Sequence, residues 1–368
     1  MDFRRITVVV AKRDAPSYRL RLESLTPFAQ EAGLQLETVI LPRRPEWLRL
    51  WRLARLFRSS EGLIFSKTKL LLGEDALVRR WCPKWVFDVD DAVMYGKPKR
   101  HGEPPDQAWW RRRRFARMVR ASIVTVVASK SLKRMTEIFG GRVLVWPTPV
   151  DLQRYPLVPR GPERELRLCW IGLGANLRYL EDLAAALRDL AARVPFRLRV
   201  ISDRLPELPG VPMELEPWDQ EREGEQLARC HVGLAPLPDD LWTRGKGGYR
   251  CIQYAAAGIP CVASPIGANA EVVVSGVTGL FASKPQEWVE GLARLLQDHD
   301  LRSRLGTQAR RRAETNYDLS MLAPRYVNWL RAVVDGFSAN SAAPGEIDDE
   351  ESGAAVGKPF HHQVISGE

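Results

Sequence analysis

A basic, glycine-rich run, Arg244-Gly-Lys-Gly-Gly-Tyr-Arg250, leads into a small-residue helix and then into Gly258-Ile-Pro-Cys-Val-Ala-Ser264, a turn followed by an apolar strand. Glycines let backbone approach a ligand closely, a helix N-terminus offers free N–H groups and a partial positive charge, and Arg244 and Lys246 add full charges. That is the chemistry of an anion cradle, and a diphosphate suits it. The plainer alternative is a basic surface loop ahead of a buried helix. Ser264-Pro-Ile-Gly-Ala-Asn-Ala-Glu271 follows the strand directly, and Gly276-Val-Thr-Gly-Leu-Phe281 adds another turn and short strand. Loops therefore accumulate at strand ends, where parallel sheets bind ligands. Asn269 has a second reading as a helix cap.

Two acidic or glycine-bearing loops invite other chemistry. Phe87-Asp-Val-Asp-Asp-Ala92 carries an Asp-x-Asp pair at a strand end. Asp88 and Asp90 there read as ligand contacts, as structural caps, or as ligands of a divalent metal carrying a diphosphate. Gly172-Leu-Gly174, with Asp203 after the next strand, echoes a dinucleotide fingerprint, which would make the chain an NAD(P)-dependent oxidoreductase. The third glycine is absent, since position 177 is Leu, and nothing in the other half suggests hydride transfer. The five cysteines are scattered and no two lie closer than ten residues, against a disulfide framework or a Cys-x-x-Cys zinc site. His231, beside Cys230, reads as a core or strand-entry residue.

The elements that must position these loops alternate. Ile6–Val10, Leu36–Leu41, Gly62–Phe65, Lys84–Phe87, Ile123–Ala128 and Val143–Trp146 read as strands, with helical segments between most of them. A break around Pro147-Thr-Pro-Val-Asp-Leu-Gln-Arg-Tyr-Pro156 ends that series. A second begins with strands at Leu166–Ile171, Phe196–Ile201, Val232–Ala235 and Pro260–Ala263. The expectation is an α/β chain of two Rossmann-like domains with parallel sheets facing a central cleft. Residues 1–155 form the first domain and 156–318 the second. A helix over 319–337 packs back on the first domain, and the Ser-, Ala-, Gly- and acid-rich 338–368 is a disordered tail.

Charge is divided unevenly. Of the net +10, residues 1–150 carry 30 Lys+Arg against 15 Asp+Glu, whereas 151–368 carry 25 against 30. The basic half is suited to an anionic partner: a lipid surface, a nucleic acid or an acidic acceptor. In Trp47-Leu-Arg-Leu-Trp-Arg-Leu-Ala-Arg-Leu-Phe-Arg58, helical spacing puts Trp47, Leu50, Trp51, Ala54 and Phe57 on one face and Arg49, Arg52 and Arg55 opposite. Trp109 to Arg120 repeats the theme, with Arg113, Arg117 and Arg120 turned away from Phe115, Met118 and Val119. These are either sheet-covering helices with basic outer faces or interfacial helices on anionic lipid. No nucleic-acid-binding signature appears. No stretch resembles a signal peptide or spanning helix, so the expected compartment is cytoplasmic, with peripheral docking on the inner face of the membrane.

The pattern K-x-x-Y-[KR]-x-x-[EQ]-Y-x-A-x-G-[IV]-P-x-V-A-S-x-x-G-x-N-x-E, from Lys246 to Glu271, resembles the donor-binding region of glycosyltransferase family 4, of GT-B fold. Trp170 to Leu180 resembles the glycine loop that opens that family's second domain. Val232-Gly-Leu-Ala-Pro-Leu-Pro238 resembles its "DVGLxPL" strand, and Val145 to Asp151 its interdomain "PNGVD" element. The resemblance covers roughly residues 1–335. It implies a retaining transfer from a nucleotide-diphosphate sugar, as co-substrate with no cofactor and no metal, to a lipid-linked or polysaccharide acceptor. Lys246, with Arg244 or Arg178, would neutralise the diphosphate, and Gly172, Gly174 and Asn176 would pack against phosphates and sugar. Asn269 and Glu271 would lie near the donor, Asp88 or Asp90 would contact the transferred sugar or the acceptor, and residues 1–155 and 156–318 would be the acceptor-side and donor-side domains. The family's paired glutamates fall on Gly245 and Gln253; Gln253 can still accept from a ribose hydroxyl, while the sugar contact of the first glutamate is lost.

Overall fold

The computed structural model describes residues 4–41, 46–70, 73–82, 84–98, 103–158 and 166–336. The expected tail over 338–368 lies outside them. The first sheet contains β1 (Arg4–Val10), β2 (Leu34–Ile40), β3 (Gly62–Ser66), β4 (Trp85–Val89), β5 (Val124–Val127) and β6 (Val143–Val145). All six are parallel, in the order β2-β1-β3-β4-β5-β6. β3, β4 and β5 are buried along their whole length, which is why they read as unbroken apolar runs rather than alternating ones.

The second sheet contains β7 (Leu166–Ile171), β8 (Phe196–Ser202), β9 (Met213–Pro217), β10 (Val232–Ala235), β11 (Cys261–Ala263) and β12 (Gly279–Phe281), in the order β12-β11-β10-β7-β8-β9, again parallel. Each sheet has an apolar layer on both faces. The order reverses between β1 and β3 in one sheet and between β7 and β10 in the other. The carboxyl ends of these strands are the positions at which doubly wound sheets take ligands.

The chain leaves the first domain earlier than the Pro-rich break suggested. Val150, Leu152 and Tyr155 pack into the second domain's core, so the crossing falls at 147–149 rather than at 156. The final helix, Leu319–Asp335, crosses back. Leu322, Tyr326, Leu330 and Val334 lie against Ile6, Val8 and Val86, and Tyr326 stacks on Trp146 at 4.6 Å. No helix among the described residues is long and apolar enough to cross a membrane.

Candidate functional site between the sheets

The loop after β7 is held from inside its own domain. The Gly174 N–H donates to Asp203 Oδ1 at 2.6 Å, and a Cβ at Gly174 would sit 2.7 Å from that carboxylate, so a side chain there would displace Asp203 from this bond. This N–H lowers the Asp203 carboxyl. The acid that a dinucleotide reading needs for ribose is therefore engaged with the loop backbone. A Cβ at Gly172 would lie 2.9 Å from Arg250 Nη2. Arg250 lies over the Trp170 ring at 4.5 Å and donates through Nε to Ile171 O at 2.7 Å, leaving its remaining N–H groups to face the glycine loop.

Lys246 lies opposite, its ammonium 5.5 Å from the Tyr179 ring centroid, with no carboxylate within ion-pair distance among the described residues. Burial pulls that ammonium down to about 8; Asp91 opposes the shift, and Arg250, Lys97 and Lys67 add to it. Arg250 comes from the second domain, and the first domain supplies Lys67, Asp91 and Lys97 from the segments after β3 and β4. Lys67, at a left-handed φ of 52°, places Nζ 2.5 Å from Asp90 Oδ1 and 2.6 Å from Asp91 Oδ2. Burial alone would raise the Asp91 carboxyl, but Lys67 and Lys246 outweigh it and hold it below its usual range. Lys97 donates to Ala175 O and Asn176 Oδ1, both at 3.1 Å, and Arg178 reaches back to Pro98 O at 2.7 Å. Lys67, Lys97, Arg178, Lys246 and Arg250 thus meet two carboxylates, Asp90 and Asp91, and the cleft keeps an excess of positive charge.

Several residues singled out from sequence have other duties. Asp88 is 1% exposed and forms an ion pair with the fully buried Arg21 at 2.7 Å, so it presents no open oxygen to a substrate. Asp91, three residues from Asp88 and directly after the Asp-x-Asp pair, is the acid that the sequence reading did not single out. Arg244 is half exposed and held bidentate by Asp239, at 2.6 and 3.0 Å, apart from the cluster around Lys246. Asn269 neither caps a helix nor faces the cleft. It is buried and its Nδ2 donates to Ala235 O at 3.1 Å. Glu271 accepts the N–H groups of Lys130 and Ser131 at 2.8 and 2.6 Å, at the start of a first-domain helix, Lys130–Glu137.

Gln253 is buried close to Tyr155, whose hydroxyl donates to Glu223. Gly245, where the resembling family has glutamate, is pressed against the first domain: a Cβ there would lie 2.9 Å from the Ala92 backbone nitrogen. No side chain fits, which explains the departure from the pattern. Lys67, Lys97 and Arg250 were missed as site residues. Arg250 alone had a sequence signal, the [KR] position four residues after Lys246; Lys67 and Lys97 are ordinary loop lysines until the fold brings them together. His231 is buried, its Nδ1 accepting the Arg167 N–H at 3.0 Å, in keeping with a core role.

The family model described as "Glycosyl transferases group 1" matches residues 241–312, a segment that holds Lys246, Arg250, Gln253 and Glu271. Residues 241–312 are thus similar to the glycosyl transferases group 1 family. Spore coat protein SA of Bacillus subtilis (strain 168) is 25% identical over 199 residues, 52% of this chain and 45% of that relative, so the match spans less than half of the relative's length. Among solved structures, sucrose-phosphate synthase from Thermosynechococcus elongatus superposes with a TM-score of 0.71 at 13% identity, over 90% of this chain and 100% of that one. HepE of Anabaena in complex with UDP and glucose gives 0.70 at 13% identity, over 89% and 100%. The fold is the two-domain GT-B arrangement, with both group 1 segment and glycine loop on the second domain.

Proposed function

We propose that the chain is a glycosyltransferase that moves a sugar from a nucleotide-diphosphate donor to an acceptor held by the basic first domain. The observation that carries this reading is the cationic excess around Lys246, set between the glycine loop after β7 and the ends of β3 and β4. A diphosphate leaving group develops charge as the glycosidic bond breaks, and preorganised cations in a half-closed cleft stabilise that charge. Lys246 and Arg250 take the diphosphate, Lys97 holds the glycine loop from the opposite domain while Arg178 beside that loop reaches across to Pro98, and side chains rather than a metal or cofactor provide the neutralisation. Asp91, kept ionised by its two lysines, is placed to orient a sugar hydroxyl. The similar HepE chain is described with UDP and glucose and with UDP-glucose, which favours a UDP-sugar here. Retention of anomeric configuration, and a lipid-linked or polysaccharide acceptor met in the cytoplasm at the membrane face, complete the reading.

Thermal unfolding with UDP, GDP, ADP, NAD and NADP, each with and without magnesium, tests it, because a ligand of the folded state raises the melting temperature. One nucleoside diphosphate should stabilise the protein without magnesium, and Lys246→Ala should abolish that shift. A response confined to NAD or NADP would replace the transferase with an oxidoreductase.

A further inference from the structure

The two basic helices do not sit as their periodicity suggests. In Glu46–Ser59, Arg49 is the buried residue, 6% exposed and paired with Glu74 at 2.6 Å, alongside buried Leu53; Trp51 is 54% exposed and Leu50 40%. The Trp47 and Phe57 side chains lie outside the described residues. In Trp109–Ala121, Phe115, Met118 and Val119 are buried as expected, but Trp109 and Trp110 are 70% and 44% exposed. Both helices pack on a third, Glu74–Trp81: Arg49 reaches Glu74, and Arg117 reaches Asp75. They therefore belong to one layer of the first domain.

Bare tryptophans on a protein surface need a partner, and these are interleaved with cations. Arg111 lies over Trp110 at 4.6 Å, Arg55 over Trp51 at 5.7 Å and Arg113 over Trp109 at 6.0 Å. Arg52, Arg55, Arg112 and Arg113 are exposed and form no ion pair among the described residues. Arg111 and Arg114 also depress Lys69, whose ammonium burial pulls down to about 8 while it donates to Val93 O at 2.6 Å. Val93 lies two residues past Asp91, so the cationic surface runs from the exposed tryptophans to the rim of the cleft.

We infer that this layer is a docking surface for an anionic lipid bilayer, with Trp109, Trp110 and Trp51 entering the headgroup region and Arg52, Arg55, Arg112 and Arg113 meeting lipid phosphates. Tryptophan is at home at that boundary, and arginine beside it binds phosphate in bidentate fashion. Charge complementarity commits the surface to an anionic membrane rather than to an acidic protein, because indole rings 44–70% bare would stay wet against a polar surface. Docking here turns the cleft rim, through Lys69, toward the bilayer. The inference concerns partner and placement and stands independently of the donor reading.

Co-sedimentation with vesicles decides it. Wild-type protein should bind phosphatidylcholine vesicles containing phosphatidylglycerol, lose binding as salt rises from 50 to 500 mM, and ignore pure phosphatidylcholine. Arg112→Gln with Arg113→Gln should weaken binding about thirty-fold, the effect of two phosphate-facing charges near a surface. Trp109→Ser with Trp110→Ser should weaken it without changing its salt dependence. Both pairs are exposed, so their melting temperatures should match wild type, and that match is checked alongside. Equal binding to neutral vesicles, wild-type binding by the arginine pair, or preference for duplex DNA over anionic vesicles at equal charge would each overturn the inference.

Discussion

Lys246 is a lysine whose charge the cleft needs and whose surroundings resist it. Its ammonium, near 8 rather than the usual 10.5, is fully charged at pH 7 and lost as pH rises through 8. A bound diphosphate favours the charged form, so the complex holds that proton to higher pH than the free protein does. UDP affinity should therefore fall between pH 7 and 9.5, with uptake of a fraction of a proton on binding above pH 8. Calorimetry in two buffers of different ionisation enthalpy measures this, and Lys246→Ala should flatten the profile and cut turnover by about 10² or more. An unchanged pH profile in the alanine variant would remove Lys246 from the diphosphate site. Asp88 makes the opposite case. Replacing it by Ala leaves Arg21 as a buried charge without its partner, at a cost of about 3–5 kcal/mol. Urea unfolding should show that loss, and near-wild-type stability would disprove the pairing. Sequence alone could not separate these acids. Asp88, Asp90 and Asp91 are consecutive or nearly so, but Asp88 lies within β4 and pairs with Arg21 in the core, whereas Asp90 and Asp91 follow the strand's end at Val89 and pair with Lys67 in the cleft.

At the scale of elements, the parallel strands were legible because burial on both faces makes them continuous apolar runs. What escaped was polar by construction. β9, Met-Glu-Leu-Glu-Pro, is an edge strand whose five residues are all part-exposed or exposed, so no apolar pattern marks it. The 18-residue helix His299–Asn316 is rich in arginine and packs through Leu301, Leu305, Gly306, Ala309 and Ala313, a small-residue stripe too weak to read. The helix Glu46–Ser59 was found with its inward face left open, and the sheet-covering reading turns it the wrong way. Periodicity identifies two faces, and an amphipathic face is normally the buried one. Here an arginine paired with Glu74 outcompeted a tryptophan for the interior, because a desolvated guanidinium is tolerable only with its carboxylate partner beside it. The glycine loop was recognised for the right residues and partly the wrong reason. Gly248, at a φ of 67°, does begin the helix Tyr249–Ala256, but Gly245 is small because Ala92 of the other domain lies against it.

The whole molecule is held together across the cleft by few, specific contacts. On one side, Lys97 and Arg178 tie the loop after β7 to the end of β4. On the other, Glu271 accepts two backbone N–H groups at the start of the helix Lys130–Glu137, where the helix dipole favours a carboxylate, and Ser131 Oγ donates to Arg244 O at 3.0 Å. Arg312 fixes Glu271 from behind by donating to its carbonyl at 2.8 Å. Glu271 thus links two domains whose separation controls access to Lys246. In an open molecule water replaces its partners, so the net closing bias of this contact is about 1–2 kcal/mol, a factor of 5–30 in the ratio of closed to open forms. Glu271→Ala should therefore enlarge the radius of gyration measured by small-angle scattering and weaken UDP binding by up to that factor. Saturating UDP should restore the wild-type radius, since ligand that spans the cleft selects the closed form. Glu271→Gln, which keeps one acceptor oxygen, should fall between the two. If the alanine variant scatters and binds UDP as wild type does, closure rests on the other contacts across the cleft, Lys97 and Arg178 among them, and the carboxylate at the helix start serves only the local fold.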